Sequence, residues 1–251
     1  MGLIGGSFAK AFRAAGREVV DLKNATPEEF RRCRMVVVCL PPLMVAPWIR
    51  ESAGMFAPGT LVTDAAGVKG VVCAALEDLA REVPWTYIGG HPMAGREVCG
   101  FENSLATLFQ GASMILTPYS FTPAEKVEEL KGLLADAGFA RFEVTNPARH
   151  DEMIAYTSQL AHVVSSAYVR DKLARSHVGY SAGSFQDMTR VATVDPAVWT
   201  DLMLSNRAAL EATLSRLVDR LEEYRDAVAA GDADRLHALL AEGRTAKLAC
   251  R

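Results

Sequence analysis

The sequence has no apolar run long enough to cross a bilayer, and its start lacks a basic stretch followed by an apolar core. Neither a membrane span nor a secretory leader is therefore expected. It lacks paired cysteines too: Cys33, Cys39, Cys73, Cys99 and Cys250 show no CxxC spacing and no metal-ligand pattern. Reduced thiols, a cytoplasmic location and no metal site are the expectation. Nor is there an excess of one charge. The formal net charge is −3 over 251 residues, so no nucleic-acid partner is implied, and an anionic ligand would need a local cationic pocket. What is present is ordinary for a folded globular chain: half hydrophobic and 23% charged, with enough length for one large domain or two modest ones.

The first part alternates short apolar runs with amphipathic stretches. Met35–Leu40 (MVVVCL), rich in β-branched residues and ended by Pro41-Pro42, suits a buried parallel strand. LVTD at 61–64, WTYIG at 85–89 and SMILT at 113–117 are three further strands, with helical patterns over roughly 43–54, 68–82 and 123–138. Strand and helix in alternation predict a parallel sheet covered on both faces, binding ligands beyond the carboxyl ends of its strands. Asp64 and His91 fall just past two such ends. After Asn146-Pro147 only helical periodicity remains, including a long amphipathic stretch from Ala197 to Ala229 whose leucines suit a core or a dimer seam. The expected organisation is a Rossmann-like α/β domain, abbreviated at its N-terminus, over 1–148, and an all-helical domain over 149–251.

A glycine-rich helix entry opens the chain. In Gly2-Leu3-Ile4-Gly5 the glycines match the second and third of the GxGxxG dinucleotide turn, whose backbone approaches a pyrophosphate at a helix N-terminus. The first glycine and the strand before it are absent from this sequence. Arg17–Leu22 (REVVDL) resembles a second strand, with Asp21 near the place of a ribose-binding acid but about two residues early. As a plain turn residue Asp21 is about equally well explained. Thr26-Pro27-Glu28-Glu29 reads as a helix start.

The chemistry-bearing residues recur in order: His91 in HPMAGRE with Glu97, Ser158 and His162 in TSQLAH, Asp187 and Arg190 in SFQDMTR, and Trp199 in DPAVW. Alone, each has a bland explanation. A histidine before proline is more often a turn residue, His162 a satisfied core residue, and an Asp/Arg pair three apart a solvated helix pair. Together, in these contexts, they resemble the prephenate/arogenate dehydrogenase family of tyrosine biosynthesis, and the resemblance covers most of the chain. It implies an NAD- or NADP-dependent enzyme that oxidises prephenate or arogenate with loss of carbon dioxide, and a homodimer formed through the helical domain.

Residue by residue, the resemblance implies that His91 takes the substrate hydroxyl proton, Glu97 shapes and gates the pocket, and Ser158 and His162 meet the substrate from one helical face. Arg190 would bind a carboxylate with Asp187 beside it, and Trp199 would form an aromatic wall. Gly2, Leu3, Ile4, Gly5, Asp21 and Gly67 fall on the cofactor side. Gly67, in TDAAGVKG, stands where the family carries a serine that orients the histidine. His150-Asp151 fits a family pattern at the domain junction and reads as structural. The incomplete glycine turn leaves a second possibility: a non-redox enzyme, or a binding or regulatory dimer, for a prephenate-like cyclohexadiene carboxylate.

Overall fold

The computed structural model describes residues 1–96 and 98–250. By contact density the chain divides into two compact units, Met1–Arg207 and Ala208–Arg251. The first is built on a five-stranded sheet in the order β1-β2-β3-β4-β5. Its strands are β1 (Met35–Val38), β2 (Leu61–Asp64), β3 (Thr86–Pro92), β4 (Ser113–Thr117) and β5 (Arg141–Val144). Pairing is parallel except between β3 and β4, which are antiparallel. Sequence pattern placed four of the strands but not β5, whose RFEV is short, charged and largely exposed.

Helices cover both faces, as strand alternation demands. On one face Val36 and Val38 of β1 and Val62 of β2 pack with Val45 and Ile49 of α3 (Pro42–Ser52) and Leu76 of α4 (Gly70–Glu82); Phe30 of α2 (Pro27–Arg32) joins them. On the other, Leu61, Ile88, Met114 and Leu116 meet Phe8 and Phe12 of α1 (Leu3–Ala14) and Leu130 and Leu134 of α5 (Ala124–Ala135). Burying a leucine-sized side chain stabilises by about 2 kcal/mol, so these two apolar layers set the sheet's position. The start of α2 is a capping box: the Glu29 carboxylate accepts from the Thr26 N–H at 2.7 Å, and the Thr26 hydroxyl accepts from the Glu29 N–H at 3.4 Å.

Three expectations need correction. REVVDL is not a strand: its backbone is irregular and leads into a short 3-10 turn at Leu22–Asn24. A cavity lined both by Arg17 to Lys23 and by β1, the edge of the sheet, lies between the segment and the open ladder, and the Val19 carbonyl accepts instead from the Arg13 guanidinium at 3.2 Å. His91 is not past a strand end but inside β3, which runs on to Pro92 because the antiparallel pairing with β4 includes Gly89 to Pro92. The stretch 197–229 is not one helix. It divides at Asn206 into α9 (Pro196–Ser205) and α10 (Arg207–Ala230).

Between the sheet and α9 lie α6 (Pro147–Ile154), a π-turn at Ala155–Gln159, α7 (Leu160–Val169) and α8 (Gly183–Thr189). In the second unit, α10 and α11 (Ala233–Ala249) are joined at Gly231, whose φ of 65° is a left-handed conformation that glycine adopts freely. Within it the Tyr224 hydroxyl donates to the Leu239 carbonyl at 3.0 Å. No helix of the described residues is long and apolar enough to cross a membrane.

Candidate active site

The ends of β2 and β3 are fixed by a buried polar knot. The Asp64 carboxylate accepts from the Tyr87 hydroxyl at 2.7 Å, the Ala66 N–H at 2.8 Å and the Lys69 ammonium, which also donates to the Gly90 carbonyl at 2.6 Å. Asp64 and Lys69 are both fully buried, so Asp64 serves the scaffold rather than facing a ligand crevice. Burial and the adjacent carboxylate push the Tyr87 hydroxyl well above its usual range, which keeps it a donor. A buried charge with this many partners is costly to break from one side. Its effect is to hold the strand bearing His91 rigid.

His91 is half-buried. Its Nδ1 lies 2.9 Å from Nε2 of His150, and His150 Nδ1 lies 2.7 Å from Oδ1 of Asp151. The other nitrogen of His91, Nε2, looks toward Gly67: a Cβ built there would sit 3.7 Å from it and 3.1 Å from Leu202 Cδ1. Nε2 thus faces a position with no side chain of its own, closely covered by Leu202. Desolvation, then the charge of His150 and of Lys69, hold His91 well below the usual histidine pKa. It is neutral at physiological pH and able to accept a proton.

A second group assembles on α7 and α9. Ser158 lies in the π-turn rather than in regular helix. Its carbonyl accepts from His162 Nδ1 at 2.9 Å, which leaves His162 Nε2 as the free nitrogen. The His162 ring stacks on Trp199 with centroids 3.8 Å apart. α9 is held there through Gln159, whose side-chain amide donates to the Leu202 carbonyl at 3.2 Å, and through Asn206, which donates to the Gln159 side chain at 2.8 Å. This brings Leu202 over Gly67. Neither Gln159 nor Asn206 was singled out from sequence; a buried Gln at the end of a helical run was the only available hint.

Arg190 caps the C-terminus of α8, its N–H donating to the Gln186 carbonyl at 2.9 Å, and Asp187 is exposed on the same helix. Glu97 lies outside the described residues.

On the cofactor side, α1 begins with no side-chain cap and no acid in its first turn, so its first backbone N–H groups are left to an outside acceptor. A Cβ at Gly2 would meet nothing within 4 Å. An uncapped twelve-residue helix open at its first turn fits an anionic pyrophosphate. Gly2 and Gly5 border a cavity of about 1000 Å³ together with Asp21, Lys23, Cys39 and Leu40. Asp21 Oδ1 accepts from the Lys23 N–H at 3.2 Å, while Leu3, Ile4 and Gly67 are not part of that lining. Burial pushes the Cys39 thiol up to about 12, so it is a neutral, apolar wall. All five cysteines are free, and the described residues contain no group of metal-ligating side chains.

A largely parallel sheet with a glycine-opened helix and a cavity along its edge strand is that of a nucleotide-binding α/β protein. The comparisons sharpen that class. Residues 4–144 match the prephenate dehydrogenase nucleotide-binding domain, and residues 146–242 match the prephenate dehydrogenase dimerization domain. The chain belongs to the prephenate dehydrogenase family. It is 30% identical over 250 residues to the cyclohexadienyl dehydrogenase of Zymomonas mobilis, covering 97% of this chain and 83% of that one. It is 31% identical to the prephenate dehydrogenase of Bacillus subtilis over 70% of this chain, and spans about half (48%) of that protein's length. Among solved structures, the prephenate dehydrogenase of A. aeolicus in complex with hydroxyphenyl propionate and NAD+ superposes with a TM-score of 0.81 at 25% identity, over 100% of this chain and 96% of that one.

Proposed function

We propose that this protein is an NAD(P)-dependent dehydrogenase that oxidatively decarboxylates prephenate or arogenate, with His91 as the base. The observation that carries the reading is the imidazole of His91 itself, whose Nδ1 is engaged by His150 and whose Nε2 faces the glycine at 67. A neutral histidine so placed can take the proton of a ring hydroxyl. When bound, the nicotinamide supplies the acceptor for the hydride that leaves the same carbon. The ring carboxylate then leaves as carbon dioxide, its bonding pair completing the aromatic ring.

In this reading Gly2, Leu3, Ile4 and Gly5 hold the pyrophosphate through backbone N–H groups, and Asp21 faces the adenosine ribose. Gly67 lies between the two ligands. Ser158, His162 and Trp199 line the substrate side, where the free Nε2 of His162 is available to a carboxylate or a hydroxyl. Arg190 offers a planar guanidinium for a carboxylate, with Asp187 close by on the helix and Glu97 gating the pocket. The two domains divide at 148, the helical part mediates homodimerisation, and the enzyme works in the cytoplasm. The ligands of the A. aeolicus relative, NAD+ and hydroxyphenyl propionate, are of the classes this assignment requires.

The test is reduction of NAD and of NADP, followed at the nicotinamide absorbance with prephenate and with arogenate in turn. Turnover with at least one pairing, lost in His91→Ala, is expected. A purified, folded protein that binds neither cofactor would refute the dehydrogenase reading.

A further inference from the structure

We infer that His150 and Asp151 are the positioning residues that make His91 a base, setting which of its two nitrogens carries the proton. The inference rests on the reading of His91 as the proton acceptor, and goes beyond it by assigning a role to two buried residues on α6.

Both carboxylate oxygens of Asp151 accept backbone amides at the start of α4: Oδ1 from the Lys69 N–H at 2.7 Å and Oδ2 from the Gly70 N–H at 2.8 Å. Two donors already point at it, so Asp151 stands as an acceptor, and His150 Nδ1 at 2.7 Å must be the donor. A neutral His150 then has its lone pair on Nε2. That nitrogen is 2.9 Å from His91 Nδ1, so the proton between them belongs to His91 Nδ1. The remaining lone pair of His91 lies on Nε2, the atom facing Gly67. Each hydrogen bond fixes the next tautomer.

Alternative arrangements give the opposite outcome. A doubly protonated His150 would donate from Nε2 to His91 Nδ1, placing the His91 proton on Nε2 and ending its use as a base on that side. His150 is 1% exposed, so its ring is enclosed by protein. The other charged group facing this pair, Lys69, is already paired with Asp64. When His91 takes a proton on Nε2, the positive charge it acquires is stabilised along the row, ending on the Asp151 carboxylate; no bond beyond the transferred O–H to N–H need change. With glycine at 67 no side chain there orients the imidazole, and the His150–Asp151 side supplies the orientation.

The experiment has two independent readouts. Long-range ¹H–¹⁵N correlation of the imidazoles in the ¹⁵N-labelled protein at pH 8 reports the tautomers without turnover. The expected result is His91 and His150 both protonated on Nδ1, with His91 assigned through His91→Gln. A His91 protonated on Nε2 overturns the inference. Kinetics then compare His150→Leu, which removes the acceptor, with His150→Gln, whose side-chain oxygen can still accept from His91. Expected are a fall in kcat of about 100-fold for Leu with KM within threefold, and recovery of about tenfold of that loss by Gln. His150→Leu that is folded by circular dichroism yet keeps kcat within threefold of the parent also overturns it. Activity that survives His91→Ala would instead remove the reading of His91 as the base, and the imidazole spectra would still decide the tautomers.

Discussion

His91 shows how a residue's chemistry is made by its surroundings rather than by its type. Because burial depresses its pKa, its neutral form persists below the ordinary histidine range. Activity limited by this base is therefore expected to stay level from neutral pH down past about 6.5 and to fall only in more acid solution, measured as kcat/KM against pH. The stability linkage runs the same way. The unfolded chain takes up the proton first, so stability is fully present above about pH 6.5 and declines as pH falls toward the folded value, visible as a falling Tm. At Gly67 the expectation is steric. Gly67→Val would press methyl groups between Leu202 and Nε2, where even a Cβ lies 3.1 Å and 3.7 Å from them, and should lower kcat/KM at least 100-fold. The histidines at 91 and 162 were legible in sequence through their local contexts. The partnership of His91 with His150 was not, because 59 residues separate them and no periodicity relates a strand residue to one on a later helix.

Among the elements, the junction of α4 with α6 is where stability is most exposed to a single atom. Gly70 has no Cβ because one would lie 2.8 Å from Asp151 Oδ2. Gly70→Ala should displace that carboxylate, leave two amides poorly satisfied and cost about 1–3 kcal/mol in chemical denaturation. Gly132→Ala on the exposed side of α5 meets nothing within 4 Å and should instead raise stability by about 0.5–1 kcal/mol. A result in which both substitutions behave alike would mean that the Asp151 contact has no special weight. Strands and helices with a strong pattern were readable in advance: MVVVCL, LVTD and SMILT each became strands. REVVDL has an equally good strand composition and failed, because the cavity along β1 keeps it out of reach of the sheet edge. β5 formed from a poor sequence because β4 offers it a neighbour. The break at Asn206 escaped notice for a related reason: its amide serves the Asp151 carbonyl and Gln159, a tertiary demand that leaves no mark on helical periodicity.

For the molecule as a whole, membership of the prephenate dehydrogenase family brings two expectations open to measurement. Light scattering should give a mass about twice the 27.1 kDa of one chain, and a value of one chain at micromolar concentration would oppose the proposed homodimer. Saturating NAD or NADP at 100 times its Kd should stabilise the folded state by about 2.7 kcal/mol, seen as a rise in Tm; no rise with either would oppose cofactor binding at the α1 cavity. The fold class was accessible from the order of patterns along the chain, whereas the antiparallel turn of β4 was not, since a strand's direction is set by its connections and packing. The position of β1 has one more consequence. Among the described residues it carries a strand on one side only, and its outward side borders the cavity. In hydrogen–deuterium exchange β1 should lose its protons before β2 and β3, and bound dinucleotide should slow it more than either, making that strand a reporter of cofactor occupancy.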